Sequence, residues 1–254
     1  MADVLITDHD AVRVLTLNRP QARNALNGTL IEELFAAMSA ADEATGVRAV
    51  VLTGTDPAFC AGVDLKEAQQ FGREYFAKFA SHNCIAKPAE MATPIIGAVN
   101  GPVFTGGLEM ALACDFLIAS ERAAFADTHA RVGILPGGGM TARLPQRVGA
   151  GMARRLSMTG EVVDAERAER IGLVTEVVPH DRLLPRALEL ATQIADVPGP
   201  TMAALKEIYR RGWAGVTEPA LDAEKAISGA QQLDTSDLAQ RREAVMARNR
   251  GQLL

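Results

Sequence analysis

Cysteine is scarce in this chain: Cys60, Cys84 and Cys114 are odd in number and none belongs to a CxxC pair. Nothing here suggests a disulfide framework, and each thiol is expected to be a small buried hydrophobe in a reducing compartment. Excess positive charge is also lacking. A net charge of −5 gives no electrostatic reason to expect nucleic acid or an anionic membrane surface as partner. The longest uncharged run, Met91–Leu108, covers 18 residues but holds Pro94, Asn100, Pro102 and four glycines, which excludes it as a membrane span. Asp3, Asp8 and Asp10 stand where a secretory signal would be basic and then apolar, so a cytoplasmic location is expected.

Several catalytic signatures are absent as well. There is no GxxxxGK[ST], HExxH or GxSxG. Gly149-Ala150-Gly151 opens like a dinucleotide fingerprint, but Arg154 fills the third glycine position and no strand ends just before it. His9, His82, His129 and His180 lack metal-ligand spacing, and no metal is expected. What remains is a chain of 254 residues, 48% hydrophobic and 22% charged. These values fit one large globular domain, or a core with an appendage.

Taken in order, Asp3–Thr7 and Ala11–Leu17 read as a hairpin around Asp8-His9-Asp10. Asn27 is a candidate N-cap for a helix with apolar positions Ile31, Leu34, Phe35 and Met38, closed by Gly46. Val47–Thr53 is a buried type of strand, and Gly54–Lys66 a sharply turning loop. A helical pattern from Glu67 to about Ala86 carries Phe71, Tyr75, Phe76 and Phe79. These aromatics either pack on the core or form a wall for an apolar substrate tail. Ile95–Asp115 begins as a strand, turns at Asn100-Gly101-Pro102 and becomes helical past Gly106-Gly107. Strands follow at Phe116–Ala119 and Ala123–Ala126, then glycine-rich Val132–Thr141. Helices are expected at Thr141–Val148 and Ala150–Met158, and Asp164 is a candidate N-cap for a short helix stopped by Gly172. Val174–Val178 reads as the last strand. Helices at His180–Ala195, Pro200–Gly212 and Glu218–Asn249, the last broken near Asp234-Thr235, complete the chain. Alternating strands and helices followed by helices alone imply an α/β core with a helical extension.

The chemistry concentrates in Ile95–Asp115. Glu109 is a single carboxylate in an apolar stretch beside a glycine turn, which is costly unless it has a task. Strand, glycine turn and helix start leave unpaired backbone N–H groups aimed outward. A second glycine loop, Ala61-Gly62-Val63-Asp64, also follows an apolar strand. If the two loops face each other, one N–H from each can meet on a carbonyl oxygen, and one such donor is worth about 3 kcal/mol in a transition state. Glu109 would then stand beside the polarised carbonyl as a base or acid. The bland alternative is a first-turn carboxylate favoured by the helix dipole.

Taken together, the motifs resemble the crotonase (enoyl-CoA hydratase/isomerase) superfamily over nearly the whole chain. Leu17-Asn18-Arg19-Pro20 with Asn24-Ala25-Leu26 is similar to its N-terminal signature. Val50–Gly54 with Ala58–Lys66, and Ala98–Gly101 through Gly106–Ala111 to Cys114-Asp115, resemble its two oxyanion-hole segments. Gly133–Gly139 and Ala168 to Val178 match later landmarks. The resemblance implies a crotonase-like ββα spiral core over residues 1–195. Residues 196–254 would form a helical C-terminal trimerisation region, giving a homotrimer or dimer of trimers. It implies an acyl-CoA thioester substrate and no separate cofactor, coenzyme A being part of the substrate. It puts the oxyanion-hole N–H groups at Val63 and Gly106, and substrate binding at Ala61, Val63, Asp64, Leu65, Lys66 and Gly106, with Lys66 on the CoA moiety. It makes Glu109 the first catalytic glutamate.

One departure matters. Where hydratases of the family carry a second glutamate, four residues after a Phe, this chain reads Phe125-Ala126-Asp127-Thr128-His129. The resemblance implies syn hydration of a trans-2-enoyl-CoA; at the departure, either His129 takes the second acid/base role with Asp127 as its orienter, or His129 does nothing chemical and one carboxylate remains. Two alternatives stand beside it. One is another crotonase reaction, such as isomerisation, decarboxylation or thioester hydrolysis. The other is a non-catalytic acyl-CoA-binding protein.

Overall fold

The computed structural model describes residues 2–231 and 237–252. Strands β1 (Val4–His9) and β2 (Val12–Leu17) form the expected antiparallel hairpin. Asn27 caps α1 (Gly28–Glu43), its side chain accepting from Leu30 N–H at 2.9 Å. The helix ends before Gly46, because Ala44 is already extended. Strand β3 (Ala49–Gly54) follows.

The expected helix over 67–86 is broken. Asp64 caps α2 (Leu65–Phe71), α3 is Arg73–Ser81 and α4 is Lys87–Glu90. Gly72, at φ +51°, breaks the first pair, a conformation that disfavours side chains with a Cβ. The aromatics consequently divide. Tyr75 is buried and packs edge-on against Phe76 and Phe79, whereas Phe71 is exposed.

Next come β4 (Ile95–Val99), β5 (Val103–Phe104), α5 (Gly106–Ala113), β6 (Phe116–Ser120) and β7 (Ala124–Ala126). They are followed by α6 (His129–Val132), α7 (Met140–Val148), α8 (Ala150–Thr159), β8 (Val163–Asp164), α9 (Ala165–Arg170) and β9 (Glu176–Val178). One sheet runs β1-β2-β3-β4-β6-β9, parallel after the first pair, and a smaller one runs β5-β7-β8.

The parallel strands are apolar on both faces, as buried parallel sheets require. Val50 and Leu52 face the main core, whereas Ala49, Val51, Ile96, Ala98 and Ile118 face α10 (Leu183–Ala195) through Ala187 and Ala191. The chain ends in α11 (Gly199–Ala230) and α12 (Leu238–Gln252). Two expected helices, Pro200–Gly212 and the start of Glu218–Asn249, are thus one. Pro219 lies inside it. That stretch of the helix is exposed, so the Gly215 carbonyl, which loses its intrahelical donor at Pro219, is open to water. The break expected near Asp234-Thr235 lies outside the described residues. Among those described, no helix is long and apolar enough to cross a membrane.

Candidate active site

Backbone hydrogen bonds hold the two glycine loops together. Phe59 N–H donates to Pro102 O (3.1 Å) and Phe104 N–H to Cys60 O (3.0 Å), while Leu26 N–H donates to Gly62 O (2.8 Å). Loop 58–63 is thereby fixed between the N-terminal signature and the β4–β5 turn. Glycine is required at the contact. A Cβ on Gly107 would collide with the Cys60 carbonyl oxygen and stand 2.8 Å from Cys60 Cβ. One on Gly62, where φ is +94°, would strike the Thr105 hydroxyl and come within 3.3 Å of Gly106 N.

Val63 N and Gly106 are consequently neighbours: a Cβ built on Gly106 would lie 3.8 Å from Val63 N. Among the described residues neither N–H has an acceptor, and Gly106 opens α5, so its N–H belongs to the unpaired first turn. Thr105 before it has φ +46° and ψ −119°. A β-branched residue there stores about 1–3 kcal/mol of strain.

Glu109 is buried in the first turn of α5. Its Oε1 accepts from Gly138 N–H (2.8 Å) and Met140 N–H (3.2 Å). Its Oε2 lies 3.8 Å from His129 Nε2. His129, also buried, donates from Nδ1 to Asp127 Oδ1 at 2.8 Å. Asp127 also accepts the His129 backbone N–H at 3.3 Å. The imidazole therefore stands between two carboxylates, one fixing its tautomer and the other facing its free nitrogen.

Burial raises the Glu109 pKa, and nearby Glu224 adds to the rise against the opposing effects of His129 and the two N–H bonds. Burial works against the His129 imidazolium, but Glu109 and Asp127 outweigh it and its pKa is raised. Asp127 is held below the ordinary carboxylate range, because its bonds to His129 overcome its burial.

A cavity of about 540 Å³ leads to this cluster. Ala61, Val63, Asp64, Leu65, Lys66 and His129 line it, whereas Gly106 and Glu109 do not. The Asp64 carboxylate is occupied by the α2 N-terminus and by Arg19 at 3.2 Å. Phe76 alone of the four aromatics borders the cavity. Arg23, Lys66, Arg242 and Arg250 make the lining basic, as suits a ligand bearing phosphates. The last two come from α12, which presents Arg242, Val245, Met246, Asn249 and Arg250. That face is a helical spacing readable in the sequence but not singled out there. Glu224, on α11, is a third buried carboxylate, after Glu109 and Asp127, and no sequence motif marks it.

A model of the family described as enoyl-CoA hydratase/isomerase matches residues 7–246. A probable enoyl-CoA hydratase of Rhizobium meliloti (strain 1021) is 43% identical over 210 residues, 82% of this chain and 81% of that protein. A 2,3-dehydroadipyl-CoA hydratase of Escherichia coli (strain K12) is 34% identical over 227 residues, covering 89% of each. Among solved structures, the enoyl-CoA hydratase of Mycobacterium tuberculosis H37Rv superposes with a TM-score of 0.81 at 46% identity, over 95% of this chain and 99% of that one.

Proposed function

The chain belongs to the enoyl-CoA hydratase/isomerase family, and on that premise we propose that it hydrates a trans-2-enoyl-CoA by syn addition of water. The observation that carries this reading is the juxtaposition of two acceptor-free N–H groups, Val63 and Gly106, with a carboxylate and an imidazole 3.8 Å apart. The thioester oxygen accepts from both N–H groups. Negative charge developing on that oxygen as water attacks C3 is then stabilised, at about 3 kcal/mol per donor. Glu109 takes the proton from the water, and the His129 imidazolium delivers its Nε2 proton to C2. Hydroxide ends on C3 and hydrogen on C2. Transfer of the Glu109 proton back to His129, across their own contact, restores the starting state. No cofactor is needed, since the thioester supplies the electron sink. The basic lining of the cavity, Lys66 included, receives the phosphates of the CoA moiety, and Ala61, Asp64 and Leu65 flank its path.

Mass spectrometry of trans-2-enoyl-CoAs of several chain lengths, incubated with purified protein, tests the reading. A product heavier by one water is expected. An unshifted mass with a moved double bond, or free acid with CoA, would replace hydration by isomerisation or thioester hydrolysis.

Residues 196–254 are proposed to form the oligomer contact, in a homotrimer or a dimer of trimers, and the exposed apolar side chains of α11 support this. Leu205, Ile208, Tyr209, Trp213 and Val216 recur at helical spacing on a largely uncovered helix. Light scattering should give three or six chains per particle, with Ile208→Asp and Trp213→Asp dissociating it. A monomeric wild type would remove the assignment.

A further inference from the structure

Glu224 is far in sequence from every motif and takes no part in the chemistry above, yet it is buried among the active-site carboxylates. We infer that Glu224 is a positioning residue for Glu109: it clamps the 138–141 turn, so that the turn's remaining N–H groups fix the Glu109 carboxylate. This inference rests on the reading of Glu109 as the base.

The hydrogen bonds alternate along the chain. Gly138 N–H donates to Glu109 Oε1 (2.8 Å), and Gly139 N–H to Glu224 Oε1 (2.6 Å). Met140 N–H then donates to Glu109 Oε1 (3.2 Å), and Thr141 N–H to Glu224 Oε2 (2.7 Å). The Thr141 hydroxyl also donates to Glu224 Oε2 at 2.5 Å. These N–H groups open α7 and have no partner within it. Residue 139, at the N-cap, is glycine and offers no side chain to cap them. Two carboxylates from two other helices, α5 and α11, divide one helix start between them.

The turn and Glu109 also touch. A Cβ on Gly138 would stand 2.7 Å from Glu109 Oε2, so displacement of the turn moves the carboxylate. Arg143, on α7, ties the turn from the other side through Nη1 to Gly138 O at 2.7 Å. Among the described residues, the charged groups around Glu109 are His129 on α6 with Asp127 just before it, Arg143 on α7 and Glu224 on α11. Glu224 is the one whose charge raises the proton affinity of both Glu109 and His129.

Glu224→Gln and Glu224→Asp in the full chain test this. Glutamine removes the charge and cannot accept all three bonds. Its kcat for enoyl-CoA hydration is expected to fall about 10- to 100-fold, the scale of a misplaced catalytic group, with KM nearly unchanged. Both limbs of its pH–rate profile should move to lower pH, because both groups lose a negative neighbour. Aspartate keeps the charge on a shorter arm, so kcat should fall with the limbs in place. A Glu224→Gln protein with wild-type kcat and an unshifted profile would overturn the inference and leave Glu224 a plain helix cap. If that variant does not fold, Thr141→Val, which deletes only the hydroxyl donor, decides the point. Lower kcat at constant KM supports positioning, and unchanged kcat overturns it.

An NMR titration of the His129 imidazole needs no substrate. Its midpoint should drop in Glu224→Gln, and an unmoved midpoint would contradict the inference. A wild type that titrates as described but hydrates nothing would refute the proposed reaction instead, so the two failures are distinguishable.

Discussion

Glu109→Gln is expected to lower kcat for enoyl-CoA hydration about 1000-fold or more, the upper range for loss of an acid/base group. Affinity for a saturated acyl-CoA should stay close to that of the wild type. The contrast follows from the two oxygens of Glu109. Oε1 only accepts, from Gly138 and Met140 N–H, and the glutamine carbonyl can do the same, so the turn keeps its place. Oε2 faces His129 Nε2 and, in the proposed reaction, is the atom that takes the proton, which an amide nitrogen cannot do.

The same substitution should stabilise the fold. Burial raises the folded-state pKa of Glu109 above its ordinary value. Its ionised form therefore costs stability at every pH above the unfolded pKa, and the neutral amide removes that cost. A lower Tm together with partial activity would show that Glu109 is structural. Lost turnover with an equal or higher Tm is the expected signature of a residue kept for chemistry.

His129→Ala is expected to reduce kcat about 100-fold or more, and to change the shape of the pH dependence. In the proposed reaction the working state pairs ionised Glu109 with protonated His129. Activity should fall on the acid side as Glu109 takes a proton. It should fall on the alkaline side as His129 loses one. Because Glu109 and Asp127 outweigh burial and raise the His129 pKa, the alkaline limb should lie above the range of an ordinary histidine. The two apparent values belong to the pair, since the groups are in contact. His129→Ala should lose the alkaline limb that reports the imidazole. His129→Glu puts a carboxylic acid at the same place, the group the resemblance implies there, and should recover much of the rate. An alanine variant as fast as wild type, with the same profile, would reduce His129 to a packing residue. Thermal stability gives a parallel check. The stability contributed by the raised His129 pKa is fully present below its unfolded pKa and is lost as pH rises through the folded one.

Much of this arrangement is legible in the sequence where local chemistry sets the geometry. Asn27 and Asp164 cap their helices as expected because an N-cap is a contact over three residues. The β1–β2 hairpin and the buried strands follow from short apolar runs with turn residues between them. The approach of the Val63 and Gly106 loops was conditional in the sequence, since only the fold decides whether two glycine turns face each other. The structure shows that they do, with Gly62 and Gly107 making the contact possible.

Other features depend on contacts between distant elements. The break at Gly72 follows glycine's own preference, whereas the unbroken passage of α11 through Pro219 runs against that of proline. Asp127 was a candidate orienter of His129, but a separation of two residues leaves the mutual direction of the side chains open outside a regular strand. Glu224 is the hardest case. It lies 85 residues from its partner Gly139, on a helix whose pattern reads as solvated surface. Nothing local marks it as buried.

In the proposed reaction this site adds water across an enoyl-CoA double bond, with both new bonds on one face. The most direct measurement is the product formed from a trans-2-enoyl-CoA in deuterium oxide, with the positions and relative stereochemistry of the new groups read by NMR. The expected product is a 3-hydroxyacyl-CoA carrying one deuterium at C2, on the same face as the oxygen at C3. Tight binding of acyl-CoA with no oxygen added at C3, at any chain length, would contradict it.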